Sequence, residues 1–171
     1  MKTLKENFSY TTARLTIRFY QPEDFIGWQD LFSNMREKQN QWDWEAEAKS
    51  VLTKERFTQK QIRHNQERIS KDIYYFCVEN KVKNLVGICI IKEIKESNPL
   101  SVEIGFQLSN MYWGNGLGKE LAKAVIDISR NELEIRNIRA LVNKQNAVSI
   151  KILEGLGMKK VIGNETQWIF E

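Results

Sequence analysis

The feature that most narrows what this chain can become is the run Tyr112-Trp113-Gly114-Asn115-Gly116-Leu117-Gly118-Lys119-Glu120, in which three glycines alternate over five positions. Before it, Val102, Ile104, Phe106 and Leu108 recur at period two, one face of a β-strand. After it, Leu117, Leu121, Val125 and Ile128 recur at steps of four and three, the stripe of an amphipathic helix. A strand that turns on glycines into a helix can cradle an anion. Glycine reaches positive φ and lets a ligand approach the backbone, and first-turn N–H groups have no partner inside a helix. Their partial positive charge favours an anion at that end. The spacing is neither a Walker loop nor a Rossmann turn, which would follow the first strand of a βαβ unit. On this pattern alone, a tight connection that binds nothing stays open.

A second apolar run, Ile138, Ala140 and Val142, ends at Asn143 and leads to Asn146, Ser149 and Leu153-Glu154-Gly155-Leu156-Gly157-Met158. Further pieces are Arg14-Leu15-x-Ile17-Arg18, Glu103-Ile104-Gly105-Phe106, Trp113-Gly114-x-Gly116-Leu117-Gly118 and Asn146-x-x-Ser149. In this order and nearly this spacing, over residues 14 to 158, they resemble the GNAT N-acetyltransferase superfamily, and more closely its RimJ/RimL-like branch of ribosomal-protein-alanine acetyltransferases. The resemblance implies an α+β fold, a mixed, mostly antiparallel twisted sheet of six to seven strands with helices on both faces. It also implies acetyl-CoA as cosubstrate, no metal, and an amine acceptor that is a small molecule or a protein N-terminus. A homodimer is compatible with it.

Periodicity along the chain agrees with that class. Leu15, Ile17 and Phe19 mark a first strand over 13–20, and Phe25, Trp28, Leu31 and Phe32 a helix after Pro22. Ser50 to Ile69 reads as a second helix, its charges and its one histidine, His64, on a solvated face. Ile73–Val78 and Leu85–Ile91 read as an antiparallel hairpin, and 100–108 as the next strand. A helix to about Glu132, a strand over 138–142 and a short helix over 147–154 follow, with Gly157 as a left-handed cap. Val161-Ile162-Gly163-Asn164 and Thr166 to Phe170 read as a closing hairpin. Elements thus run βαα, three strands, then αβαββ, an α+β arrangement within one domain, residues 1–171.

Composition removes several function classes. With 171 residues and 42% hydrophobic content the chain can bury a core. No apolar run approaches the roughly 18 residues a membrane span requires, so no membrane partner is expected. The first seven residues lack the apolar core of a secretory signal. Cys77 and Cys89 sit singly in apolar strands, which fits a reduced, cytoplasmic setting. A single histidine argues against a His-based triad or multi-His metal centre. The net charge of +4 is dispersed, without the basic stripe of a nucleic-acid binder.

The resemblance carries the chemistry onto particular residues. Gly114, Asn115, Gly116, Leu117, Gly118 and Lys119 would present backbone N–H groups to the diphosphate of coenzyme A. Trp113 stands where many relatives carry Gln or Arg, so no guanidinium reaches a phosphate from there. The pantetheine arm would add as a pseudo-strand between the strands at 100–108 and 138–143, hydrogen-bonded by Phe106 and Leu108, with Asn143 and Asn146 beside it. Both asparagines also suit turn and cap roles. The N–H of Gln107 or Leu108 would polarise the thioester carbonyl. Glu103 is the candidate base, its pKa expected to rise with burial, and a structural strand glutamate is the alternative. Leu153 stands where many relatives carry a tyrosine acid. Ser149 takes that part in the branch resembled, and otherwise is a helix serine bonded to backbone.

Trp42 and Trp44, flanking Asp43 in the polar segment 34–49, either line an acceptor pocket with Glu103 or pin the loop to the core. The reading is an N-acetyltransferase acting by direct attack in a ternary complex. Its rivals are a catalytically idle acyl-CoA-binding or sensory domain, for which the missing tyrosine speaks, and an ATP-binding protein using the glycine turn.

Overall fold

β-branched and aromatic residues dominate Ile73–Asn80 and Leu85–Ile94, and these segments pair as neighbouring strands of the sheet. The computed structural model describes residues 2–171 apart from Glu96 and Ile162. In chain order the strands are β1 (Ser9–Thr11), β2 (Leu15–Arg18), β3 (Ile73–Asn80), β4 (Leu85–Ile94), β5 (Ser101–Leu108), β6 (Asn137–Asn143), β7 (Lys160–Val161) and β8 (Gln167–Phe170). The α-helices are α1 (Phe25–Ser33), α2 (Lys54–Ile69), α3 (Leu117–Asp127) and α4 (Ala147–Glu154). Among the described residues the eight strands make one sheet, ordered β1-β2-β3-β4-β5-β6-β8-β7. Every neighbouring pair is antiparallel except β5 and β6.

To the expected strands the structure adds β1, whose three residues are too short for alternation to announce it. The first strand and the second helix are shorter than their patterns suggest. Thr53, not Ser50, caps α2, its side chain accepting from the N–H of Arg56. The closing hairpin pairs β7 with β8, and Ile162 lies outside the described residues.

Period-two alternation decides which side of the sheet each residue serves. Tyr74, Phe76, Cys89, Ile91, Val102, Ile104 and Leu108 join Leu121, Val125 and Ile128 in the larger core, under α3. Cys77, Leu85 and Ile88 face the other way and pack with Trp28, Leu31, Leu52 and Phe57 of the α1–α2 side. Burial raises the Cys77 thiol to about 12, and nearby Arg18 opposes that rise.

The solvated face expected for α2 is interrupted at two places. His64 is buried at 8% exposure and stacks on Tyr75 with ring centroids 3.9 Å apart. Desolvation first, and then Lys60 and Arg63, lower its pKa to about 3, so the imidazole is neutral. Lys60 turns its Nζ toward the rings of Tyr20, Trp28 and Phe32, 5.3–5.8 Å from their centroids, and burial lowers it to about 8. The local sequence Gln61-Ile62-Arg63-His64-Asn65 is polar, yet one helical turn brings Lys60 and His64 onto the face that carries Phe57.

Candidate active site

The site begins where the sheet comes apart. β5 and β6 pair only through Ser101, Val102 and Glu103 with Asn137, Ile138 and Arg139, although both strands continue beyond. Past that point residues 104–108 and 140–143 diverge, leaving a cleft with main chain on both walls. Ser109 donates its N–H to the Val86 carbonyl at 2.9 Å, and the register sets Gly87 against Leu108. In an antiparallel ladder only alternate opposed pairs exchange hydrogen bonds. Gln107, Gly105 and Glu103 therefore bond β4, while Leu108 and Phe106 turn their main-chain groups toward the cleft. Of the two N–H groups expected to polarise a carbonyl, only that of Leu108 is presented; Gln107 spends its own on β4. The Leu108 carbonyl accepts the indole N–H of Trp113 at 3.0 Å.

That indole anchors the start of the glycine turn. Gly114 has φ +87° with no atom within 4 Å of where a Cβ would stand, and Gly116 has φ +72° as the N-cap of α3. Side chains are strained at such φ values, which is why glycine occupies both. The first bond of α3 runs from the Glu120 N–H to the Gly116 carbonyl, so the amides of Leu117, Gly118 and Lys119 find no acceptor among the described residues. At Gly118 a Cβ would meet the Ile152 side chain at 3.2 Å, so the missing side chain lets α4 lie against α3. The turn is tied to the connection between β1 and β2 through Arg14, whose Nη1 donates to the Asn115 carbonyl at 2.7 Å.

On the far wall, Asn143 Oδ1 accepts from the Gln145 N–H at 2.9 Å, and Asn146 caps α4 by accepting from the Ser149 N–H at 3.1 Å. Both asparagines thus take their turn and cap roles through oxygen, and neither amide nitrogen donates to a described residue. Ser149 Oγ likewise has no described partner, unlike a helix serine bonded back to the main chain. Leu153 is fully buried in the larger core and brings no polar group to the cleft.

On the α1–α2 face, Glu103 is half-buried at the fork where β5 and β6 part, level with Lys92 on β4 and Arg139 on β6. No described residue pairs with its carboxylate, and Arg139 pairs with Glu171 at 2.6 Å. The segment 34–48 crosses this face as a strap. Asn110 exchanges two hydrogen bonds with the Arg36 main chain at 2.9 and 3.0 Å. Gln107 Nε2 donates to the Trp42 carbonyl at 3.2 Å, and Gln41 Nε2 donates to Gln145 Oε1 at 2.8 Å. The strap therefore spans from the end of β5 to the turn that leads into α4. The ring of Trp44 packs on Phe32 at 5.1 Å, which makes it an anchor, whereas Trp42 is held by its carbonyl. Between them Asp43 is 7% exposed; its Oδ2 accepts from the Gln39 N–H, and its buried Oδ1 has no described partner.

Residues 14–159 match the family described as Acetyltransferase (GNAT) domain. The chain belongs to the GNAT acetyltransferases. Over 80 residues it is 31% identical to YkkB of Bacillus subtilis, and over 83 residues 30% identical to the N-acetyltransferase p20 of Bacillus licheniformis. Those stretches cover 47% and 48% of this chain and 46% of each relative, so the match spans about half the length of the curated relatives. Among solved structures, the ribosomal-protein-S5-alanine acetyltransferase of Vibrio fischeri superposes with a TM-score of 0.72 at 18% identity, covering 96% of this chain and 94% of that one. RimJ of Mycobacterium smegmatis, solved with a CoA disulfide, gives 0.70 at 16% identity over 91% and 79%. The fold is thus that of the RimJ and RimL acetyltransferases.

Within this GNAT fold the predicted residues fall into two groups. Phe106, Leu108 and residues 114–119 edge the cleft on the β5 side, and Asn143, Asn146 and Ser149 on the β6 side. Glu103, Trp42 and Trp44 lie on the α1–α2 face. Sequence reasoning missed Asn110, Gln41 and Gln145, polar residues that no periodicity singles out. It matched Arg14 without a role for it.

Among the described residues no helix is long and apolar enough to cross a membrane, and no group of three or more His, Cys, Asp and Glu could hold a metal.

Proposed function

We propose that residues 1–171 form one acetyltransferase domain that moves the acetyl group of acetyl-CoA to a primary amine by direct attack in a ternary complex. The observation that carries this reading is the parting of β5 and β6 with the main-chain groups of Phe106 and Leu108 turned into the gap. A peptide-like arm can complete the ladder there as an added strand. The glycine turn fits a diphosphate. Its helix N-terminus offers unpaired amides, and the space beside Gly114 is open.

Acetyl-CoA supplies an acyl group already activated as a thioester. The chain's own residues do the rest. The amides of Gly114 to Lys119 bind the diphosphate, and Phe106, Leu108, Asn143 and Asn146 align the arm. The Leu108 N–H, aimed into the cleft, stabilises charge growing on the carbonyl oxygen. An acceptor amine, with a pKa of about 8 for a protein α-amine and about 10 for an alkyl amine, is mostly protonated at neutral pH, and Glu103 takes its proton directly or through water. Ser149 Oγ, free of a backbone partner, donates a hydrogen bond to the leaving sulfur. Trp42 and Trp44 hold the strap over the acceptor side. The unpaired Asp43 Oδ1 favours a cationic acceptor, because a buried carboxylate oxygen without a partner is costly.

The acceptor is a protein N-terminal α-amine or a small-molecule amine, and the names of the ribosomal-protein neighbours support the first. The setting read from the chain is cytoplasmic, without nucleic-acid or membrane partners. Release of free thiol from acetyl-CoA across a panel of amines and N-terminal peptides tests the reading. Thermal-shift runs with acetyl-CoA against ATP test the cofactor. Stabilisation by ATP alone would overturn it.

A further inference from the structure

We propose that Arg14 is a positioning residue for the glycine turn, holding the cradle in its anion-receiving shape and cancelling the one negative charge built into it. This rests on the reading that the turn receives the diphosphate of acetyl-CoA. The contacts come from a part of the chain 101 residues away, the short connection between β1 and β2.

Three groups of that connection converge on Glu120, in the first turn of α3. Thr12 Oγ1 donates to Glu120 Oε1 at 2.6 Å, and the Arg14 N–H donates to the same oxygen at 2.8 Å. Arg14 Nε donates to Oε2 at 2.6 Å. The guanidinium then reaches on, Nη1 donating to the Asn115 carbonyl at 2.7 Å. A Cβ on Gly116 would stand 3.7 Å from Nη2, so the guanidinium lies along the turn itself. One planar group therefore grips both the helix and the loop that enters it, which an ammonium could not do with the same geometry.

The arrangement answers two problems that an anion site here would face. Gly114 and Gly116 both sit at positive φ, and glycines leave a loop free to move unless something outside holds it. Fixing the Asn115 carbonyl, between the two, fixes the direction of the amides on either side. The second problem is charge. Glu120 favours the helix end but repels an incoming phosphate, and Arg14 neutralises it at contact distance. Partial burial pushes the Glu120 carboxyl up, yet the hydrogen bonds from Thr12 and Arg14 bring it below the usual carboxylate range, so it is charged and needs that partner. The Arg14 side chain is 48% exposed and that of Glu120 17%, so the pair also holds the fold locally, and the phosphate-free substrate separates that role from binding.

The test compares the full-length wild type with Arg14→Met, Arg14→Lys and Glu120→Gln. Calorimetric affinities for coenzyme A are set beside turnover of S-acetyl-pantetheine, which has no phosphate. Arg14→Met should weaken coenzyme A binding tenfold or more and raise the KM for acetyl-CoA, with kcat at saturation and S-acetyl-pantetheine turnover within twofold of wild type. Arg14→Lys should recover only part of the affinity, because it restores charge without the fork. Glu120→Gln removes the charge that Arg14 cancels, so combined with Arg14→Met it should recover part of the lost affinity. Wild-type affinity in Arg14→Met overturns the inference, as does an equal loss with S-acetyl-pantetheine, which would mark general damage. A wild type that binds no coenzyme A overturns the cofactor reading and this inference with it, whereas a wild type that binds while Arg14→Met is unchanged removes only the inference.

Discussion

Replacing Arg18 by methionine should destabilise the protein by roughly 3 kcal/mol at pH 7, and by less as the pH falls. Arg18 sits at the end of β2 with its guanidinium between two carboxylates that the fold has taken out of water. Nη1 and Nη2 grip Asp24 at 2.7 and 2.8 Å, and Nη2 and Nε reach Glu79 Oε2 at 2.7 and 3.2 Å. The side chains of Asp24 and Glu79 are only 10% and 5% exposed. Removing one partner of a buried ion pair typically costs about 3–5 kcal/mol, because the other charge is left uncompensated. The lower end applies here, since Glu79 keeps Lys83 at 2.7 Å on its other oxygen. For a chain of this size that loss lowers Tm by roughly 6–12 °C.

The pH dependence gives a sharper check on the same substitution. In the wild type, burial pushes the Glu79 carboxyl up, but Lys83 and Arg18 together hold it below its ordinary value. A depressed carboxylate contributes stability that is present above its unfolded pKa, about 4.3, and is lost as pH falls through the folded value. In Arg18→Met one of the two downward pulls is gone while Lys83 remains, so burial is less fully opposed and the variant loses less than the wild type when Glu79 is protonated. Urea unfolding at pH 7, 5.5 and 4 should show the two midpoints converging. A deficit below about 1 kcal/mol at pH 7, or one that stays constant with pH, would refute the claim that an uncompensated buried charge is the cause.

Three further outcomes are expected. Because His64 is neutral in the fold, its contribution is complete above the unfolded value of about 6.5 and falls at ~1.4 kcal/mol per pH unit down toward its folded value; the imidazole NMR signals should not titrate between pH 7.5 and 5, and a midpoint near the free value would contradict the stacked, dehydrated site. Glu103→Gln should lower kcat on an amine acceptor by roughly 10²–10⁴-fold with little change in the KM for acetyl-CoA, and an unchanged kcat would leave Glu103 a structural strand residue. Asp43→Asn should weaken cationic acceptors more than neutral ones, since it removes the buried charge and keeps the shape; an unshifted preference across an amine panel would take Asp43 out of recognition.

Much of this molecule is legible in its sequence. Alternation in Val102, Ile104, Phe106 and Leu108, and the steps of Leu117, Leu121 and Val125, report which faces are buried, and burial is a local property of strands and helices. Gly114, Gly116 and Gly157 announced backbone that other residues resist, and all three adopt positive φ. Tertiary structure alone decided where hydrogen bonds are left over. Whether Gln107 or Leu108 turns its N–H into the cleft depends on the register with β4, and that is set by pairing partners about twenty residues away. His64 reads as a surface residue because its neighbours in sequence are polar, but Tyr75 reaches it from β3. Arg14 and Asn115 could be paired only by a sheet that brings the β1–β2 connection to the first turn of α3. A sequence records each residue's chemistry and its near neighbours. Charge compensation and the directions of unpaired donors depend on what folding brings from afar.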